Sequence, residues 1–528
     1  MNRIKATLLL VLLTSTLSVI AQDVFIIPEP NQLQYEEGKY QWNRPLKVLC
    51  EAAEFENEQK ELKTFCDSTA LANEKSTTSN VGIIKLTKDL SIKNAEGYEL
   101  EITPRSISLK AATAQGMFYA VQTLKQIIQS SLYQHSSALP CLRIKDQPRF
   151  SYRGLMLDPA RHFLPIEDLK KYVEVMAGYK YNKLHLHLTD DQGWRLEIKK
   201  YPKLTTIGSR RDGMNGDKTP RNGFYTQEEM KDFVQFAAER HVEVIPEFDL
   251  PGHSVAAIAS YPELKLSCAD TVTKVRNHEG VSKDILCVGN DTVFTFIDDV
   301  IKEMSSIFPS KMFHIGGDEA PLDAWKNCAP CQALKKEHHL TTDQELFAYF
   351  FKRVNQSLTK YQKEPLFWYE LDVPEYLENS TIFLWRMGSA AKVLAAAKKN
   401  NYEVICSPGE YAYFDYPQWK DGLPNVDWMG VITLQKVYQF DPAYTFNKKQ
   451  QKKYIRGVEA PVWGESVKDL FRAFYMTYPR ALALAEVGWT EMPQRNWDTF
   501  KSKLDMQFNT LLHKGVNYRP PVELYGGL

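Results

Sequence analysis

The sequence predicts an α/β protein whose main domain is a (β/α)8 barrel, preceded by a small α+β domain. Three observations predict it. The chain has 528 residues, room for a barrel of about 250 residues or more and a second unit. Beyond residue 150, short apolar strands alternate with helical stretches, a rhythm that implies a parallel sheet. Polar and aromatic residues also gather directly after nearly every one of eight strand candidates, and in a barrel those positions converge at the C-terminal face.

Residues 1–21 predict a signal peptide. Arg3 and Lys5 precede the apolar run Leu8 to Leu13, and Val19 and Ala21 occupy the small-residue positions a signal peptidase prefers, with cleavage after Ala21. The run is shorter than the roughly 20 residues needed to span a bilayer, so the expected product is exported, periplasmic or secreted, with no membrane span.

Residues 22–148 are expected to form the small α+β domain. Val81 to Leu86 and Tyr98 to Ile102 are rich in β-formers, and Ser106 to Lys110 alternates apolar and polar at period two. Gln115 to Leu132 places Met117, Val121, Leu124, Ile127 and Ile128 at helical spacing, so one face should pack on that sheet. Lys145-Asp146-Gln147-Pro148 is the expected linker.

Residues 149–528 are expected to form the barrel and a C-terminal helical segment. The strand candidates are Arg153 to Leu157, Lys183 to Leu188, Glu243 to Phe248, Met312 to Ile315, Leu366 to Trp368, Thr381 to Leu384, Glu403 to Cys406 and Val458 to Pro461. Helical stretches lie between them, among them Ile166 to Gly178, Gln227 to Arg240 and Thr292 to Ile307.

Lys+Arg and Asp+Glu balance at 65 each, with 25% charged and 44% hydrophobic residues, which excludes disorder, a collagen and a multi-pass membrane protein. Without a long Lys/Arg run the chain also lacks the many cationic phosphate contacts that non-specific nucleic-acid binding requires. Eight cysteines are too few for a disulfide scaffold; export permits bridges among Cys50, Cys66, Cys141, Cys268, Cys287, Cys328, Cys331 and Cys406, with connectivity open.

Strand by strand, the following residues are Asp158 and Arg161; Asp190, Asp191 and Trp194; Asp249 and His253; Asp318 and Glu319; Trp368 and Glu370; Trp385 and Arg386; Tyr413 and Asp415; Trp463 and Glu465. Taken singly, such an Asp is more often a helix cap and such a Trp more often core. Together they are the residue types that sugars require: indole faces stack on the C–H face of a pyranose while carboxylates and Arg take its hydroxyls. Glycoside hydrolysis usually needs two carboxyl groups, and Asp318-Glu319 after Gly316-Gly317 is the candidate pair. Neighbours in a strand point to opposite faces, so the two glycines must turn the backbone if both acids are to share a pocket.

The chain resembles glycoside hydrolase family 20, the β-N-acetylhexosaminidases. The resemblance rests on YRGLMLDPARHF (152–163), LHLHLTDDQGWRLEIKKYPKL (184–204), VIPEFDLPGHS (244–254), FHIGGDEAP (313–321), FLWRMGSA (383–390), SPGEYAYFDYPQ (407–418) and VWGESV (462–467). GYELEIT and AQGMFYAVQTLKQII are similar to the small domain that precedes such barrels. One departure is FWYE (367–370), where many relatives carry Asp in place of Tyr369.

The resemblance implies exo-acting, retaining, substrate-assisted hydrolysis of a glycan with a terminal β-linked N-acetylhexosamine, with no cofactor and no metal. It makes Glu319 the general acid and base. Asp318 would accept the acetamido N–H and steady an oxazoline-type intermediate, and Tyr413 would donate to the acetamido carbonyl. Trp368, Trp385 and Trp463 would wall the pocket; Arg161, Asp190, Asp415 and Glu465 would hold sugar hydroxyls; His253 would stand behind Glu319 with an acid partner.

Other readings remain open from sequence. His185 and His187, two apart in a strand, could join His253 and Asp318 in a metal site of amidohydrolase type. Cys328-Ala329-Pro330-Cys331, with His338 and His339 downstream, could be a zinc knuckle or redox pair, although export favours a disulfide or plain loop; Cys268 and Cys287 bracket a polar loop as a structural bridge would. The same barrel could also be a non-catalytic glycan binder, which loss of Asp318, Glu319 or Tyr413 would signal; all three are present. Tyr438, Phe440 and Tyr444 are candidates for contacts with longer glycans or for loop packing.

Overall fold

A computed structural model describes residues 24–42, 46–70, 81–213, 219–269, 272, 274–370, 380–420, 429–443, 446, 448–521 and 524–525. The expected signal peptide lies outside the described residues, as does Tyr444. Among the described residues no helix is long and apolar enough to cross a membrane.

The N-terminal domain is a sheet of β1 (Gln32–Gln41), β2 (Leu46–Cys50), β3 (Gly82–Lys88), β4 (Tyr98–Ile102), β5 (Ser106–Ala111) and β6 (Ala138–Asp146), ordered β1-β6-β4-β5-β3-β2. In β4 and β5 every second residue is buried, the signature of a sheet with one covered face. Helix Ala114–Tyr133, capped by the Thr113 side chain, is buried on more than the expected stripe: Phe118, Tyr119, Gln122 and Gln126 are covered as well. The helix lies between sheet and barrel, and its second face makes polar contacts. Arg153 of the barrel donates to Tyr119 at 3.0 Å and to Glu96 at 2.5 Å.

Of the expected linker, only Gln147-Pro148 lies between β6 and the barrel. Lys145 and Asp146 complete β6, and Asp146 is a buried node between the domains. It accepts from Tyr98 at 2.6 Å, from Lys180 at 3.0 Å and from the Trp489 indole at 2.9 Å. A polar tetrapeptide ending in Pro reads as solvated, but a carboxylate whose partners come from elsewhere in the chain can be buried.

The barrel is formed by β7 (Tyr152–Leu157), β8 (Lys183–His187), β11 (Glu243–Leu250), β12 (Met312–Gly316), β13 (Glu364–Trp368), β14 (Thr381–Leu384), β15 (Glu403–Cys406) and β16 (Ile455–Val462). A short hairpin of β9 (Thr189–Asp190) and β10 (Gly193–Trp194) follows β8. All barrel pairings are parallel, and β16 closes on β7 with Gly457 opposite Tyr152 and Val462 opposite Leu157. These strands are buried on both faces, which explains their short, unbroken apolar runs. Helices such as Gln227–Ala238 and Asp343–Lys360, each opened by a Thr/Glu capping box, cover the outside. Trp497–His513 ties the end of the barrel to the first described residues, with Lys503 and Gln507 donating to the carbonyls of Ile26 and Phe25.

Candidate active site

At the end of β12 the backbone makes the turn the two glycines predict. Gly316 and Gly317 have φ of 65° and 101°, and a β-carbon on Gly316 would lie 1.6 Å from Asp249 Oδ1. Asp318 then turns inward and is 8% exposed, while the Glu319 side chain is 36% exposed at the pocket mouth. Glu319 has φ 48° and His253 φ 51°, left-handed backbone that is costly without glycine and that clusters at functional sites. The Glu319 amide donates to Glu370 Oε2 at 2.5 Å, which helps fix this turn.

Behind Glu319 runs a chain of alternating acids and imidazoles. His253 Nε2 lies 3.7 Å from Glu319 Oε2, and its Nδ1 lies 3.4 Å from Asp190 Oδ1. Asp190 Oδ2 meets His187 Nε2 at 2.8 Å, and His187 Nδ1 meets Glu247 Oε2 at 2.5 Å. Glu247 is the hub: its Oε1 also accepts from Trp368 Nε1 at 2.9 Å and lies 2.9 Å from His314 Nδ1, and its Oε2 lies 3.1 Å from His185 Nε2. Burial opposes charge on His253, but Asp190 and Asp249 outweigh it and hold its pKa well above the ordinary imidazole value. Burial likewise opposes charge on Glu247, and His187 and His314 reverse that, holding its carboxyl well below the usual range.

Asp318 differs from these paired acids. Its Oδ1 is buried with no hydrogen-bond partner among the described residues. Burial pushes its pKa up to about 7; His253 opposes the shift, and the charges of Glu319 and Glu247 add to it. Neighbouring Asp249 is raised well above the carboxylate range, by burial first and by Asp318 second.

The opposite wall comes from the loop after β15 and the end of β16. Phe414 N–H donates to Pro461 O at 2.8 Å, and Arg480 binds the Phe414 and Tyr416 carbonyls at 2.6 and 3.0 Å. The pinned loop sets the Tyr413 ring 6.3 Å from Trp463, which is 5.6 Å from Trp368. Asp415, buried with Oδ1 unpartnered among the described residues, has its pKa raised by burial and then by Glu465. Arg161 donates to Asp158 at 3.0 Å, lies 2.8 Å from Asp190 and 3.8 Å from Glu465, and sits 5.0 Å from the Trp463 ring. The Trp385 indole donates to Tyr369 O at 2.9 Å.

The expected residues Glu319, Asp318, Tyr413, Arg161, Asp190, His253, Trp368, Trp385, Asp415, Trp463 and Glu465 thus lie on linked elements around one barrel mouth. Two take places other than those expected. Asp190 is fully buried with both oxygens engaged by His187, Arg161, His253 and the Asp191 amide, so it sits behind Arg161 and His253. Trp368, 1% exposed, is the floor beneath the wall that Trp463 forms. Trp194 lies outside the pocket, packed on Phe248, and Tyr438 and Phe440 are loop packing, buried against Phe500 and Tyr411.

Sequence reasoning missed Glu247 and Glu459. Glu459 accepts from Tyr152 and meets His185 at 2.9 Å. The available signal was an acid at an inward position of an otherwise apolar strand, in Val-Ile-Pro-Glu-Phe and Gly-Val-Glu-Ala-Pro. The four residues of the alternative metal reading do not come together as one group: both ring nitrogens of His185 and of His187 face carboxylates of Glu459, Glu247 and Asp190. His253 groups with Asp249 and Asp318 on one side and with Asp190 and Asp191 on the other.

Comparison with known proteins gives one family. The profile of "Glycosyl hydrolase family 20, catalytic domain" matches residues 150–492, and that of "Glycosyl hydrolase family 20, domain 2" matches 23–147. A β-hexosaminidase of Akkermansia muciniphila is 41% identical over 423 residues, 80% of this chain and 85% of that protein. One of Porphyromonas gingivalis is 37% identical over 508 residues, 94% of this chain and 64% of that longer protein. Among solved structures, a β-N-acetylhexosaminidase superposes with a TM-score of 0.82 at 36% identity, covering 93% of this chain and 96% of that one. A Vibrio harveyi exo-β-N-acetylglucosaminidase in complex with N-acetylglucosamine superposes with a TM-score of 0.83 at 30% identity, covering 94% and 78%.

Proposed function

The chain belongs to glycosyl hydrolase family 20, and from that premise we propose that it is a β-N-acetylhexosaminidase, removing terminal non-reducing β-linked N-acetylhexosamine from oligosaccharides or glycoconjugates. The observation that carries this reading is the pair at the end of β12: a buried Asp318 with a free acceptor oxygen beside a pocket-facing Glu319 backed by His253.

In the first step Glu319 gives its proton to the glycosidic oxygen as the bond to C1 breaks, and the substrate's own acetamido oxygen bonds to C1 from the other face. Asp318 accepts the acetamido N–H and offsets the positive charge of the oxazoline-type ring. Its raised pKa in the free site falls when that cation forms, so its contact is strongest in the transition state. Tyr413 donates to the acetamido oxygen and keeps it aimed at C1. Water then attacks C1 as the ring opens, giving its proton to Glu319. Two inversions retain configuration. Arg161, Asp415 and Glu465 are set to take sugar hydroxyls, while Trp385 and Trp463 exclude water from the acetamido side.

Export of the enzyme is part of the same reading, supported by Arg3, Lys5, the run Leu8 to Leu13 and the Val19/Ala21 pair. A panel of aryl N-acetyl-β-hexosaminides read by NMR tests the proposal: the β-anomer of the free sugar appears first. The α-anomer as first product, or no turnover on any member, would overturn it.

A further inference from the structure

Four cysteines from two distant stretches of sequence meet at one point. Cys268 and Cys287 flank the loop after β11, and Cys328 and Cys331 open helix Ala329–Glu337 after β12. The Sγ atoms of Cys268 and Cys331 are 3.5 Å apart, those of Cys287 and Cys331 3.5 Å, and those of Cys287 and Cys328 3.6 Å. All four lie within 4.8 Å of one another, with three of the cysteines buried. A tetrahedral ion with metal–sulfur bonds of about 2.3 Å sets its sulfurs about 3.8 Å apart. All four cysteines are free, and the 3.5–3.6 Å separations are far longer than an S–S bond of about 2.05 Å, whereas a central ion engages all four sulfurs at once.

The backbone is shaped for the same purpose. A β-carbon on Gly289 would lie 2.4 Å from Cys331 N and 2.3 Å from Pro330 C, so only glycine lets the Cys287 loop close over the Cys-x-x-Cys turn. The start of helix Ala329–Glu337, with Cys328 at its N-cap, faces the cluster with its positive end, which offsets thiolate charge.

We propose that Cys268, Cys287, Cys328 and Cys331 bind one structural Zn²⁺. The four thiols release their protons to solvent on binding, and softness together with tetrahedral S4 geometry selects zinc over the harder divalent ions. The site staples the segment that begins with Asp318-Glu319 to the loop after β11. The Trp325 indole reinforces it, donating to Leu286 O at 2.9 Å next to Cys287. Zinc here holds loops and touches no substrate, so the proposal stands or falls apart from the hydrolase reading.

Protein purified without chelator should carry one zinc per chain by elemental analysis, and mercurial titration of the thiols should release it to a metallochromic dye. Cys328→Ser with Cys331→Ser should lose the zinc. Should that variant not fold, cobalt exchanged into the parent protein should give thiolate-to-cobalt charge transfer and the intense visible bands of a tetrahedral site. Two disulfides among these four cysteines in a non-reducing peptide map, four freely titrating thiols without metal, or a coloured iron centre would each overturn the proposal.

Discussion

His253 reaches Glu319 and Asp190 at once, with its Nε2 3.7 Å from the Glu319 carboxylate. The imidazole is raised well above its ordinary pKa because, against the cost of burial, Asp190 and Asp249 favour its charged form. In the proposed mechanism a cation held at that place positions the Glu319 carboxyl that delivers the proton. His253→Asn should lower kcat about 10²-fold on substrates with poor leaving groups, with KM little changed, the scale expected when a reacting group loses its alignment. Aryl glycosides whose leaving group needs no proton should suffer much less; equal losses across a leaving-group series would contradict the role.

Asp318→Asn keeps the size of the side chain and removes the charge that the proposed mechanism sets against the oxazoline-type ring. Turnover should fall about 10² to 10³-fold, the usual cost of a lost preorganised electrostatic contact. A thiazoline mimic of the intermediate should inhibit the parent enzyme tightly and the variant far more weakly, and inhibition constants of the two proteins check this. Equal inhibition of both would count against it.

The pH profile should carry the mark of the same residue. The proposed mechanism uses Asp318 as an anion, and burial raises its pKa to about 7, so on that mechanism the active form of the free enzyme is lost as pH falls through neutrality. The acidic limb of kcat/KM should therefore sit above the ordinary carboxylate value of about 4. A limb at that ordinary value would show that Asp318 titrates as a solvated acid.

Glu247→Gln should be severely destabilising. The carboxylate has three imidazoles and an indole around it, and its depressed pKa means that it stabilises the fold above the unfolded carboxyl pKa and loses that contribution as pH falls. Removing one member of a buried charge network costs about 3 to 5 kcal/mol, read as a lower urea midpoint at neutral pH. An unchanged midpoint would mean the histidines do not depend on it.

The barrel was legible because each of its strands is covered on both faces, so apolar runs such as Thr381–Leu384 and Glu403–Cys406 stand out between helices. The pocket was legible because its members follow those runs. In the first domain β1 is mostly exposed and helix Glu56–Ala70 is highly charged, leaving no apolar period to read. Asp146, Glu247 and Glu459 were hidden for a different reason: a buried acid is permitted only by partners far away in sequence, here Lys180, His187 and His185. The cysteines read as two local pairs, since their meeting depends on where the loops after β11 and β12 come to lie.

In the proposed mechanism the nucleophile belongs to the substrate. Aryl glycosides whose 2-acetamido methyl carries none, one, two or three fluorines test it, because each fluorine weakens the carbonyl oxygen without touching the leaving group. Substrate assistance predicts that log(kcat/KM) falls steeply with each fluorine and that no sugar ester forms on the protein. Rates indifferent to fluorination, with a glycosyl ester trapped on Asp318 by mass spectrometry, would contradict it.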